Sequence, residues 1–233
     1  MEPIVFETHR EKILDQMMDA SILVIFSKPK PDVKKDVDRN YYYVTGNFEF
    51  DNILVLIKNG NLKKEMMFIQ PYDEFKAKWV GAPLSKEAVY EQSNFKEIYY
   101  IDEFETMLDS YASELTKLYV DLKDGKDIYS KEMLFAKEMK AKHEHLVIYN
   151  AEPLFKKART LKHPLEIEEM QHAIEITRLG IEHMLSHLQE AYEYQIESYF
   201  DQAIKFHGAT GYAFPTIAAS GKNACCLHYM ANE

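Results

Sequence analysis

Asn52-Ile-Leu-Val-Leu-Ile-Lys58, then Asn59-Gly60-Asn61, then Glu65-Met-Met-Phe-Ile-Gln70 is the stretch that decides the fold class. Two apolar runs joined by Asn-Gly are the strongest short-range signal for a β-hairpin, because such residues accept the positive φ of a tight turn. Upstream, Ser21-Ile-Leu-Val-Ile-Phe-Ser27 is a continuous apolar run of strand length, the pattern of a strand covered on both faces. Downstream, Leu118 to Leu122 and Leu146 to Tyr149 read as further strands.

Helical patterns fall between these strands. They cover residues 7 to 20, with Thr8 as candidate N-cap, then Asp73 to Trp79, Ser85 to Gln92 and Asp102 to Leu115, and a basic amphipathic segment over 130 to 142. Lys28 to Asn40, charged and carrying two prolines, reads as a loop. Tyr41 to Thr45, ending at Gly46, reads as extended, with Tyr41, Tyr42 and Tyr43 packing on a sheet because aromatic runs are β-prone. Strands alternating with helices predict an α/β layer structure.

The pattern changes around residues 150 to 163. Pro164 stands where a helix can start without losing a hydrogen bond, and Glu166, Glu168 and Glu169 suit the positive end of its dipole. Ile167, Met170, Ile174, Ile181, Met184, Leu185 and Leu188 then recur at helical spacing, predicting a long amphipathic helix to about Glu190. A second helix is predicted from Gln195 to Phe206, closed by His207-Gly208. These changes put a domain boundary near residue 155, giving domains 1–155 and 156–233.

Composition narrows the function class. A formal net charge of −10 disfavours nucleic acid and anionic membrane surfaces as partners. The N-terminus lacks the basic and apolar regions of a signal peptide, and no apolar run has the length of a membrane span. Cys225 and Cys226 are adjacent, cannot staple distant segments, and read as small buried apolar residues. The expectation is a cytoplasmic protein.

Phe214-Pro-Thr-Ile-Ala-Ala-Ser-Gly-Lys-Asn-Ala-Cys-Cys-Leu-His-Tyr229 carries the chemistry. Thr216 to Ala219 reads as a strand broken at Ser220-Gly221 and resumed as Ala224 to Tyr229, with His228 on the second half. Three further blocks precede it in order: Asp38-Arg-Asn-Tyr-Tyr-Tyr-Val-Thr-Gly46, Trp79-Val-Gly81, and Arg159-Thr-Leu-Lys-His-Pro-Leu-Glu166. Together, over residues 38 to 229, the four blocks resemble the Xaa-Pro aminopeptidase and prolidase family, the pita-bread metallopeptidases.

That resemblance implies an N-terminal creatinase/prolidase-like α/β domain with a mixed sheet, followed by the first part of a pita-bread α+β catalytic domain. It implies hydrolysis of the bond preceding proline in a peptide substrate, by a homodimer carrying two divalent metal ions (manganese, cobalt or zinc). His228 becomes the candidate catalytic histidine, with Trp79 and Tyr229 as candidate substrate-binding or interface residues. The family's metal ligands, two Asp, one His and two Glu, follow the Gly221–Tyr229 block. The resemblance therefore assigns no metal ligand here, and the 233-residue chain alone is expected to bind no metal and to be inactive.

Three alternatives stay open: a metal-free creatinase-like hydrolase, a non-catalytic peptide- or protein-binding module of the same fold, and a dimerisation module. Trp79 has an equal reading as an anchor for its own helix. His183 and His187, four apart on a helix, have the spacing of two metal ligands, but the His-Glu-x-x-His glutamate is absent and Leu185 and Leu188 dominate the neighbourhood, which favours a solvated flank. His143 and His145 have loop character and the same reading.

Overall fold

A computed structural model describes residues 1–28, 38–122, 128–189 and 191–233. The chain divides into two compact units, Met1–Lys162 and His163–Glu233. Most of the loop expected over 28 to 40, and the helix end expected at Glu190, lie outside the described residues.

The first unit opens with α1, Pro3–Gln16, and β1, Ser21–Phe26. Helix α1 starts earlier than its pattern suggested because Pro3 occupies the first turn, where its preset φ favours helix. Thr8 is therefore interior, its hydroxyl donating to the Ile4 carbonyl at 2.8 Å. Next comes α2, Arg39–Thr45, which corrects the extended reading of the tyrosine run. The Asp38 carboxylate accepts from the Asn40 and Tyr41 amides, both at 2.9 Å, and Gly46 closes the helix at φ 68. Two good caps and the burial of Tyr41, Tyr43 and Val44 outweigh a β-propensity of a few tenths of a kcal/mol per residue.

The hairpin forms as β2, Ile53–Asn59, and β3, Leu62–Ile69, pairing Ile53 with Phe68 and Asn59 with Leu62. Its loop is Gly60-Asn61, with Gly60 at φ 58. After it come α3 (Glu74–Val80), α4 (Lys86–Ser93), β4 (Glu97–Tyr100), a single 3-10 turn, and α5 (Phe104–Ala112). Then follow β5 (Lys117–Val120), α6 (Lys131–Lys142), β6 (Val147–Asn150) and α7 (Glu152–Thr160). Asp73, Ser85 and Ser130 cap α3, α4 and α6 through their side chains. Sequence pattern missed β4, a four-residue edge strand, and α7, which spans the boundary expected at 155 and lies whole in the first unit.

The sheet order is β4-β3-β2-β1-β5-β6, with β1–β2 and β2–β3 antiparallel and the other pairs parallel. Alternation along β1 and β2 sorts the core. Leu23, Ile25, Leu54 and Leu56 pack with Ile13 of α1 and Phe155 of α7. Ile22, Val24, Val55 and Ile57 pack on the other face with Phe104, Leu108 and Met139 of α5 and α6. Helices on both faces of a mixed sheet make this unit the α/β domain expected. Arg10, on α1, is fully buried, donating to Glu65 at 2.7 Å, to the Val44 carbonyl at 3.0 Å and to the Ser93 carbonyl at 2.9 Å.

The second unit contains α8, Pro164–Leu185, and α9, Glu193–Phe206. His163 caps α8, its ring accepting from the Leu165 amide at 3.2 Å, while Glu166 reaches back to the His163 amide at 2.7 Å. Gly180 sets the approach of α9: a Cβ there would lie 2.7 Å from Ile204 and 2.8 Å from the Phe200 ring. The strands expected at 216–219 and 224–229 do not form. The segment is irregular, with one 3-10 turn at Asn223–Cys225. A strand needs a ladder partner, and among the described residues of this unit side chains take that role instead.

Candidate functional site

Glu193, the first residue of α9, lies at the centre of the motif segment although only 6% of its surface is exposed. One carboxylate oxygen accepts from the Ser220 amide at 2.5 Å and the Ser220 hydroxyl at 3.0 Å. Asn223 Nδ2 lies 3.2 Å from both oxygens. The Tyr229 hydroxyl also bonds to the carboxylate, and this bond, followed by those from Ser220 and Asn223, holds the Glu193 pKa down at about 2. Its place in the first turn of α9 favours the same ionised form through the helix dipole.

The Tyr229 hydroxyl accepts from Asn223 Nδ2 at 3.1 Å and from the Glu233 amide at 3.0 Å. A phenol has one proton, and with both lone pairs occupied that proton goes to Glu193. Ser220, Asn223 and Tyr229 thus all turn inward onto one carboxylate. His228, the chain neighbour of Tyr229, is left exposed. Cys225 and Cys226 are exposed as well, correcting the expectation that they are buried. The 3-10 turn spends its inward positions on Asn223, so the thiols that follow face outward.

A second brace lies one turn along α9. Asn232, 6% exposed and at φ 51, accepts from the Ala218 amide at 3.0 Å through Oδ1. Its Nδ2 donates to Glu197 at 2.8 Å and to the Thr216 carbonyl at 3.1 Å. Glu193 and Glu197, four apart on one helix face, therefore grip the segment at two points. Beneath it, a cavity of about 930 Å³ lies between α8, α9 and residues 208–220, with Ile176, Ile181, Ile196 and Phe200 in its apolar wall. At its rim Tyr212 bonds to Asp201, and burial with that bond pushes the phenol up to about 12.

Two family descriptions match this chain. Residues 6–119 match the aminopeptidase P N-terminal domain, and residues 168–233 match metallopeptidase family M24. The Xaa-Pro aminopeptidase of Haemophilus influenzae is 31% identical over 98% of this chain and 53% of its own length. A solved Bacillus anthracis structure attributed to aminopeptidase P is 35% identical and superposes with TM-score 0.93, covering all of this chain and 58% of that one. The chain belongs to the aminopeptidase P family. Aminopeptidase P from Escherichia coli, solved with the inhibitor Pro-Leu, is 25% identical with TM-score 0.87, covering all of this chain and 56% of that one. This member spans about half the length of the curated relatives it matches.

Within this chain, His228 and Tyr229 share one loop, whereas Trp79 belongs to the first unit. Helix α3, which carries Trp79, has no buried residue; Trp79 is 76% exposed and Phe75, 6.3 Å from it between ring centres, is 72% exposed. This exposure removes the reading of Trp79 as a core anchor. The weaker histidine candidates have structural partners: His143 pairs with Asp109 at 3.0 Å, His145 with the Ala112 carbonyl at 2.9 Å, and His187 stacks on Tyr199 at 4.2 Å. Among the described residues no group of three or more His, Cys, Asp or Glu is placed to hold a metal ion. Sequence reading missed Glu193 and Asn232 as braces. Ser220 and Asn223 were visible in the motif, but their acceptor lies 27 and 30 residues away, and no local pattern announces it.

Proposed function

We propose that this chain is part of a metal-dependent Xaa-Pro aminopeptidase, with His228 presented toward the peptide at the bond preceding proline. The observation that carries this reading is the Ser220–Tyr229 loop, which ties Ser220 and Asn223 to Glu193 and Tyr229 to Asn223 and leaves His228 exposed, in a chain that matches the M24 metallopeptidases. An imidazole both donates and accepts hydrogen bonds, which suits it to steady a scissile carbonyl or a leaving group. The bond before proline lacks an N–H, so recognition there depends on such contacts to the carbonyl. Divalent ions, in this family activating water and polarising the carbonyl, supply the chemistry when bound. The chain spans about half the length of its curated relatives, and on this reading manganese, cobalt or zinc would be held by residues that the family resemblance places after Tyr229.

Exposed Phe75 and Trp79 on α3 support assembly as a homodimer through that helix. The absence, among the described residues, of a helix long and apolar enough to cross a membrane is compatible with a cytoplasmic setting. The test is cleavage of an Ala-Pro-containing peptide with added manganese, using the 233-residue chain and the full open reading frame that contains it. The expected result is release of the N-terminal residue by the full protein only, reduced by His228→Ala. Cleavage by the 233-residue chain would overturn the assignment of metal binding to residues outside it. Full-length protein with no activity under any of the three metals would favour the binding-module reading.

A further inference from the structure

We infer that Glu193 is a positioning residue for His228: its carboxylate fixes the Ser220–Tyr229 loop in the one arrangement that points the histidine away from the unit. The inference rests on the proposed substrate-facing role of His228 and extends it to a residue on a different element.

The argument is one of donor and acceptor supply. Four donors converge on Glu193: the Ser220 amide, the Ser220 hydroxyl, Asn223 Nδ2 and the Tyr229 hydroxyl. An ionised carboxylate offers about four acceptor positions and no donor. Glutamine has nearly the same shape but replaces one oxygen with an NH₂ group, which would face donors. Charge-assisted bonds are also about twice as strong as neutral ones. The loop has no ladder to hold it, so these bonds and those of Asn232 define its course. Tyr229 is held inward by its bond to Glu193 and by Asn223, itself bound to Glu193, and this fixes the backbone from which its exposed neighbour His228 projects. Glu193 is held in turn by α9, which Gly180 allows to pack closely on α8.

The test uses amide hydrogen exchange and histidine-selective NMR on the 233-residue chain, comparing wild type, Glu193→Gln and Tyr229→Phe, with and without the dipeptide Pro-Leu. Glu193→Gln is expected to speed exchange of the Ser220 amide by about tenfold or more and to move the His228 imidazole resonance, with the Ala203 and Ile204 amides of α9 unchanged. Tyr229→Phe is expected to do the same more weakly. An unprotected Ser220 amide in wild type, or unchanged Ser220 exchange and an unmoved His228 resonance in Glu193→Gln, would overturn the inference. If Glu193→Gln melts α9, Tyr229→Phe decides, and an unmoved His228 resonance there overturns it. A His228 response to Pro-Leu in wild type that is lost in Glu193→Gln supports both the positioning role and the substrate role. A His228 resonance indifferent to Pro-Leu in wild type, but moved by Glu193→Gln, keeps the anchoring by Glu193 and sinks the substrate role alone.

Discussion

The hairpin of residues 53–69 and the motif segment of residues 216–232 look alike in sequence: both are apolar runs broken by Gly and Asn. One becomes two strands in register inside a six-stranded sheet. The other becomes an irregular loop held by Glu193, Glu197 and Asn232. An apolar run states that a segment will be covered, but a strand also needs a neighbour to receive its amides and carbonyls. β2 has β1 and β3 on either side, while the motif segment has the acidic face of α9. The consequence is one of exposure: the strands of the hairpin are covered by their neighbours in the sheet, whereas side-chain braces leave the run from Ala224 to His228 exposed.

The largest test of this contrast is Arg10→Ala, which strikes β3 through Glu65. It leaves the half-buried Glu65 carboxylate and the Val44 and Ser93 carbonyls without their donor and empties a fully buried site, and a loss of about 3–5 kcal/mol is expected in urea denaturation. A loss below about 1 kcal/mol would show that the hairpin does not depend on this buried ion pair. On the loop side, Gly180→Ala forces a methyl group against Ile204 and Phe200. Overpacking is expected to cost about 1–3 kcal/mol, with faster exchange at Ser220 as the sign that α9 carries the brace.

Acidification separates the two regions next. The Glu193 pKa is depressed, from an ordinary 4.5 to about 2. Its contribution is therefore complete above about 4.5 and is lost as pH falls from there through about 2. Ser220 protection is expected to decline over that window in wild type and not in Glu193→Gln; equal pH profiles would break the link between the carboxylate and the loop. The smallest effect is expected from Gly60→Ala, where φ 58 is disfavoured for alanine but nothing lies within 4 Å of a new Cβ. A cost of about 1 kcal/mol follows from backbone strain alone, and a larger one would mean that the hairpin loop is more tightly packed than its exposure indicates.

Much of the fold was legible because its signals are local. The hairpin, the β1 run, the helical stretches beginning at Asp73 and Ser85, and Pro164 at the start of α8 each declare themselves within a few residues. The tyrosine run misled because Asp38 and Gly46, which cap it as a helix, lie at its ends, while propensity weighs only its interior. The edge strand β4 and helix α7 were silent, since short or partly exposed elements carry little hydrophobic pattern. For the site, the motif disclosed Ser220, Asn223, His228 and Tyr229, and the expected burial of both cysteines failed on a turn that no periodicity encodes.

By itself, then, the amino-acid sequence determined the α/β class and the central hairpin, because short-range propensity and period suffice for each, and it carried the motif blocks whose resemblance ties this chain to aminopeptidase P. Only the tertiary structure decided that the motif is a braced loop, that Tyr229 spends its proton on Glu193, and that His228 faces outward. Hydrogen bonds between residues about 30 positions apart depend on where α9 places its carboxylates, and that position is fixed by packing on α8.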